Sequence, residues 1–304
     1  MSTEVHGDLR SVAPAADNWA YEEAFARNAG LVTASEQQRL RGSHVAIIGM
    51  GGVGGNHLMT LARLGVGRFT IADPDCFEVA NFNRQYGATI ENVAAPKAST
   101  MARLAMQINP EATIRILSKP IGADNIDSFL EDADLVIDGV DFFSIETRRL
   151  IFRRARERRL WTITAGPIGF STAWLSFDPA GMSFDRYFDL HDDQELLDQL
   201  IAFAVGLTPR GTQSAYLDLS RVSVDERTGP SLGLACHLCS AVAASEAIKL
   251  LLNRGGVRPA PCFAQFDAYR CLLRRGRLIH GNRGWGQRFK RRFLKRYFAG
   301  RLVQ

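Results

Sequence analysis

A short apolar run, His44-Val45-Ala46-Ile47-Ile48, ends directly in Gly49-Met50-Gly51-Gly52-Val53-Gly54. No other stretch constrains the fold as strongly. Small and β-branched apolar residues in series read as a parallel strand buried on both faces. The glycines that follow, in the order G-x-G-x-x-G, have separate tasks. The first allows a tight turn, the second lets backbone approach phosphate oxygens, and the third lets the next helix pack on the strand. Amide groups at that helix N-terminus offer partial positive charge to an anion. Asp73 stands 24 residues after Gly49, at the end of the next apolar run. A carboxylate there accepts hydrogen bonds from ribose hydroxyls.

The alternation continues. Strands are expected at 68–73, 113–117, 135–138 and 161–165, with helices at 54–64, 96–109, 124–130 and 144–158 between them. The economical solution is a doubly wound, Rossmann-like, mostly parallel sheet with helices on both faces. Residues 21–41 read as helical, with a capping box at Thr33-Ala34-Ser35-Glu36. Further on, 171–177 alternates like a strand, 232–252 is a long apolar helix, and 263–269 is a closing strand, which together make a C-terminal antiparallel extension. Between them, 180–228 is polar and irregular, with a helical stretch near 194–205, and reads as a crossover loop or lid. The expected plan is a flexible leader over 1–18, one nucleotide-binding domain over 19–278, and a basic tail over 279–304.

Composition narrows the class. Of 304 residues 46% are hydrophobic and 23% charged, which excludes a wholly disordered or collagen-like chain. No stretch approaches 18 uninterrupted apolar residues, so a spanning helix is not expected. The first 20 residues are polar and lack the apolar core of a signal peptide. Five scattered cysteines make no disulfide framework, so a reducing, cytoplasmic location is expected. The net charge of +5 conceals an asymmetry. No acidic residue follows Asp267, while twelve of the 37 Lys and Arg do. The body thus carries 25 basic against 32 acidic residues, and the basic character belongs to the tail.

The glycine loop alone does not separate a dinucleotide from ATP. The next segment, Asp73-Pro74-Asp75 through Asn81-Phe82-Asn83-Arg84-Gln85 to Pro96-Lys97, does. An adenylating enzyme neutralises a triphosphate and stabilises charge at the α-phosphorus, and so needs cations beside the loop. Arg84 and Lys97 are suitable cations and Asn81 a neutral donor. Asp141, just past the strand ending at Asp138, is a suitable oxygen ligand for Mg²⁺.

The runs G-x-G-G-x-G, D-x-D, N-x-x-R-Q, P-K and D-x-x-D stand in the order and spacing of the ThiF/MoeB family, which this sequence resembles over about 20–178 and 229–270. That resemblance implies a ubiquitin-activating-type fold and an ATP-dependent adenylyltransferase. In the family a carboxylate, often the C-terminal glycine of a ubiquitin-like protein, attacks ATP to give an acyl-adenylate and pyrophosphate. The resemblance implies that Gly49, Gly51, Gly52 and Gly54 receive phosphates and that Asp73, with Asp75 close by, binds ribose. It assigns phosphate contacts to Asn81, Arg84 and Lys97, and magnesium to Asp141. Arg27 resembles an arginine that reaches the ATP of a neighbouring subunit, which implies a homodimer. Gly166-Pro167 and Gly229-Pro230 resemble turns around a substrate channel. The expected partner is a ubiquitin-like protein, a peptide or a small carboxylate.

The sequence also departs from that family. Relatives with a structural zinc carry two C-x-x-C pairs. Here one pair, Cys236 and Cys239, lies in an apolar helix, so zinc is not expected. No cysteine occurs between Cys76 and Cys236, so a thioester step is not expected unless Cys236 or Cys239 faces the nucleotide from a helix start. In the tail, Trp285, Phe289, Phe293 and Tyr297 recur every four residues among Arg and Lys. Residues 284–304 suit an anionic membrane surface, with nucleic acid as a second target and docking on the body as the plainer outcome. The rival functions are an NAD- or FAD-dependent oxidoreductase, which leaves Arg84, Lys97 and Asp141 without a task, and a non-catalytic nucleotide-binding scaffold.

Overall fold

The computed structural model describes residues 6–9 and 18–299. The elements run β1 (His6–Leu9), α1 (Tyr21–Ala24), α2 (Ala34–Gly42), β2 (His44–Ile48), α3 (Gly52–Arg63), β3 (Arg68–Ala72), α4 (Lys97–Met106), β4 (Thr113–Leu117), α5 (Ile126–Phe129), β5 (Leu135–Asp138), α6 (Ile145–Glu157), β6 (Trp161–Ile168) and β7 (Ser171–Phe177). They continue through α7 (Phe184–Phe188), α8 (Leu196–Leu207), α9 (Gly233–Leu251), β8 (Cys262–Asp267), β9 (Leu272–Arg277) and α10 (Trp285–Ala299). Among the described residues the strands form one nine-stranded sheet in the order β1-β4-β3-β2-β5-β6-β7-β8-β9. Strands β4, β3, β2, β5 and β6 are parallel, and β7, β8 and β9 extend the sheet antiparallel. This is the doubly wound fold with its C-terminal extension.

Burial follows the alternation of the strands. On one face α3, α4 and α9 cover Val45, Ile47, Ile71 and Ile114. On the other, α5 and α6 cover Ala46, Ala72 and Val136. Strand β2 is buried at all five positions, as an interior parallel strand requires. The apolar α9 packs on α3, β6 and β7 as a core helix.

Three expectations are corrected. Residues 21–41 are not one helix: α1 ends at Ala24, a 3₁₀ turn follows, and α2 starts behind Thr33, whose side chain accepts the Glu36 N–H in the expected capping box. The segment 180–228 is not merely a polar loop. Its Phe184, Tyr187, Phe188, Leu200 and Phe203 form a second apolar core with Ala173, Leu175 and Phe177 of β7 and Phe152 of α6. In β7 the neighbouring residues Thr172 and Trp174 turn the other way, toward α9 and the main core, so one strand serves both cores. The third correction is Gly166-Pro167, which lies within β6, paired with β7, and is no turn. The leader expected over 1–18 falls largely outside the described residues, although β1 within it pairs with β4.

Candidate active site

Strands β2 and β5 are neighbours, yet β2 leads to β3 and β4 on one side and β5 leads to β6 on the other. The crevice outside the carboxyl ends of such a pair is where open α/β sheets bind ligands. The glycine loop leaves β2 at this point. Gly49 has a φ of +80°, and a side chain there would run into the carbonyl of Gly139, the residue after β5. A side chain on Gly54 would overlap the Gly49 carbonyl, and one on Gly139 would come within 2.7 Å of the Gly54 Cα. Loop, helix start and β5 turn therefore lie backbone on backbone. Gly51 and Gly52 look elsewhere. A side chain on Gly51 would meet Gln85 at 3.5 Å, and one on Gly52 would meet Cys236 Sγ at 3.0 Å and Arg84 Cγ at 3.4 Å.

Asp73 follows β3 and is buried. Its Oδ2 accepts the Met50 N–H at 2.6 Å and its Oδ1 the Asp75 N–H at 2.8 Å, which ties it to the glycine loop. Burial raises its carboxyl above the usual carboxylate range, against the two N–H donors and Lys97. Lys97 opens α4, with no acidic residue in the first turn. A cation there opposes the helix dipole, so this position is not chosen for helix stability. Its side chain is 9% exposed and its Nζ donates to Asp75 Oδ2 at 3.2 Å.

The segment 78–85 lies over the loop. Asn81 is buried, with its Oδ1 accepting the Glu78 N–H at 3.0 Å. Arg84 rests its stem on Gly52, and its Nη1 donates to Ala80 O at 2.8 Å and Asn83 Oδ1 at 2.9 Å. The start of α9 is fastened to the same segment: Asn83 Nδ2 donates to Ser231 O at 2.8 Å, and the Gly233 N–H to Asn83 O at 3.2 Å.

The two acids of the D-x-x-D run have opposite surroundings. Asp138 is buried. It accepts Arg148 Nε and Thr164 Oγ1, both at 2.8 Å, and the Val140 N–H at 3.0 Å. Asp141 is exposed. Its Oδ1 accepts the Phe143 N–H at 2.9 Å, and its Oδ2 has no hydrogen bond among the described residues. A free carboxylate oxygen suits a hard cation that shares its remaining ligands with phosphates and water. Among the described residues no three His, Cys, Asp or Glu side chains gather into a metal cage.

Most of the expected site residues are thus brought together: the loop glycines, Asp73, Asp75, Asn81, Arg84, Lys97 and, through Gly139, Asp141. Arg27 is not. It is exposed on the turn Ala26–Asn28, and the adjacent Asn28 donates to Leu64 O at 3.3 Å, at the far end of α3. The helix puts roughly 18 Å between that end and the glycine loop. Sequence reasoning assigned no part to three other residues. Gln85, whose buried Oε1 has no partner among the described residues, was legible in the N-x-x-R-Q run. Gly139 follows a strand end and was legible as a close-approach glycine. Nothing in the sequence signalled Arg148, which also donates to Val140 O at 2.5 Å and stacks 4.4 Å from the Phe203 ring centroid. Cys236 does sit in the first turn of α9 facing Gly52, but burial pushes its thiol up to about 11, which leaves it protonated at neutral pH. Cys239 points away to Thr172 at 3.2 Å, and burial raises its thiol too.

This geometry defines a doubly wound α/β protein whose glycine loop lies beside Arg84, the Asp75–Lys97 pair and the exposed Asp141 turn. The chain belongs to the ThiF family, which it matches over residues 25–283. It is 33% identical over 153 residues to the tRNA threonylcarbamoyladenosine dehydratase of Haemophilus influenzae, covering 50% of this chain and 58% of that protein. It is 31% identical over 143 residues to the sulfur carrier protein ThiS adenylyltransferase of Escherichia coli, covering 47% of this chain and 56% of that protein. The chain therefore spans little more than half the length of these curated relatives. The crystal structure of PaaA shares the fold, with a TM-score of 0.65, 16% identity, and 87% and 86% of the two chains covered.

Proposed function

We propose that this protein is an ATP- and Mg²⁺-dependent adenylyltransferase that activates a carboxylate as an acyl-adenylate with release of pyrophosphate. The observation that carries the reading is the meeting of Gly51 and Gly52 with Arg84, the Asp75–Lys97 pair and the Asp141 turn at one switch point. The loop amides and the α3 N-terminus receive phosphate oxygens. Arg84 and Lys97 offset charge that builds at the α-phosphorus and on the departing pyrophosphate. Asp73, held against the loop, accepts from ribose hydroxyls. Asp141 holds magnesium, which supplies charge neutralisation at the phosphates. No general base is required, because a carboxylate is already ionised at neutral pH.

Arg27 belongs to this reading only in a homodimer, where a second copy brings it to the site. The carboxylate is the C-terminus of a ubiquitin-like protein, a peptide, a tRNA-attached amino acid or a small acid. The relatives support that breadth, since one acts on a sulfur carrier protein and another on a modified tRNA nucleoside. Residues 19–278 make up the adenylation unit, within which 180–228 is the crossover insertion. Cys236 takes no acyl group, being neutral and enclosed. The test is ATP–pyrophosphate exchange with candidate carboxylates of each kind. Carboxylate-dependent exchange is expected. NAD or FAD binding without exchange would establish the oxidoreductase instead, and ATP binding without turnover a scaffold.

A further inference from the structure

The terminal helix docks on the body the wrong way round for an ordinary amphipathic helix. Its inner face is polar over the first two turns, with Leu294 and Phe298 half-buried further along. Gln287 is buried and its Nε2 donates to Val205 O at 3.0 Å. Lys290 Nζ donates to Pro209 O at 2.5 Å, Arg291 pairs with Asp189 at 2.7 Å, and Lys295 with Asp198 at 2.7 Å. The aromatic side chains face solvent: Trp285 is 87% exposed, Phe289 69% and Phe293 59%. At 100° per residue they share an arc of about 140° with Arg288, Arg292 and Arg296. All three arginines are exposed, and their guanidinium groups have no hydrogen bond or ion pair among the described residues.

Aromatic side chains of this size offer roughly 150–250 Å² each, and a contiguous exposed patch of that kind marks an interaction surface. Its chemistry selects the occupant. A second copy of α10 would set three arginines against three arginines, and no acidic residue follows Asp267 to relieve the repulsion. Nucleic-acid binders that stack bases do so in a groove that tracks the backbone, whereas this face is a convex ridge. Rings that enter an apolar layer between cations that remain at its charged boundary fit an interfacial helix.

We infer that the outer face of α10 seats this protein on an anionic lipid surface, with Trp285, Phe289 and Phe293 inserted among the acyl chains and Arg288, Arg292 and Arg296 at the headgroups. The inner polar contacts fasten the helix to α8 and the loops around it, so the body is carried to the surface with the helix. This inference is independent of the reaction.

The test is co-sedimentation of the full-length chain with phosphatidylcholine vesicles, with and without phosphatidylglycerol. Pelleting with the anionic vesicles alone is expected. It should fall by more than ~10-fold in the triple variant Trp285→Ser/Phe289→Ser/Phe293→Ser and in Arg288→Gln/Arg292→Gln/Arg296→Gln. Unchanged thermal melting of either variant establishes that the body is intact, and each triple tests the surface on its own should the other fail to fold. The inference is overturned if the wild-type chain stays in the supernatant, if it pellets equally with neutral vesicles, or if a folded triple variant pellets like wild type. It is equally overturned if the serine triple instead dissolves an oligomer seen by light scattering, or abolishes retention of a single-stranded oligonucleotide that anionic vesicles do not displace.

Discussion

One oxygen of Asp141 accepts the Phe143 N–H, and the other has no hydrogen bond among the described residues. An asparagine would keep that backbone bond and the turn but lose the charge. Asp141→Asn is therefore expected to reduce ATP–pyrophosphate exchange by ~100-fold or more while thermal melting stays at the wild-type value. Exchange that persists at the wild-type rate removes Asp141 from the metal role. Legibility at this scale depended on distance along the chain. Gly49, Asp73 and Lys97 stand out because each sits at a recognisable strand or helix end. Asp138 and Asp141 look equivalent in D-x-x-D. What separates them is Arg148, brought in by α6 to bury one acid and leave the other exposed, and a partner chosen by tertiary folding leaves no local pattern.

Among the elements, the insertion was the least legible. In α7 the core residues Phe184, Tyr187 and Phe188 alternate with Asp185 and Arg186, and the charges conceal the aromatic cluster. Asp185 is satisfied by Arg149 and Arg153 of α6, so the charges themselves hold the insertion in place. Strand β9 was hidden in the same way by its arginines. Phe203 joins α8 to both Phe188, at a ring-centroid distance of 5.0 Å, and the Arg148 guanidinium. Phe203→Ala is expected to cost about 3–5 kcal/mol in urea unfolding, as for a deleted core aromatic. A loss under about 1 kcal/mol would mean that the insertion is not part of the cooperative core. Between α2 and the end of α9, Arg254 donates to Glu36, and this bond, then the Thr33 N–H, lowers the Glu36 carboxyl to about 2. A depressed folded pKa gives stability that is present above the unfolded value and fades as pH falls toward the folded one. Glu36→Gln should therefore flatten the dependence of Tm on pH between about 4.5 and 2. An unaltered slope would show that the pair contributes nothing.

For the whole molecule, the question is whether one chain holds a complete site. Arg27 and the glycine loop stand at opposite ends of α3, so only a second copy can supply that cation. If it does, Arg27→Ala and Asp141→Ala chains, each inactive alone, should complement when mixed. Half of the dimers are then mixed and each has one intact site, so exchange should return to about a quarter of wild type. No recovery after subunit exchange would place Arg27 outside the reaction. The parallel core of the fold could be read from the regular spacing of strands and helices. The orientation of α10 could not, because its aromatic period of four fits an inward apolar stripe equally well. Val205 O of α8, Pro209 O and the carboxylates of Asp189 and Asp198, which take Gln287, Lys290, Arg291 and Lys295, set it instead.

The contact between Gly49, Gly54 and Gly139 makes the floor of the crevice out of main chain alone. Such a floor has no side-chain identity to drift. Any change in what the site accepts must therefore be made at the rim, on 78–85, on the β5–α6 turn or on the insertion. Relatives can diverge in cargo while this main-chain surface stays the same.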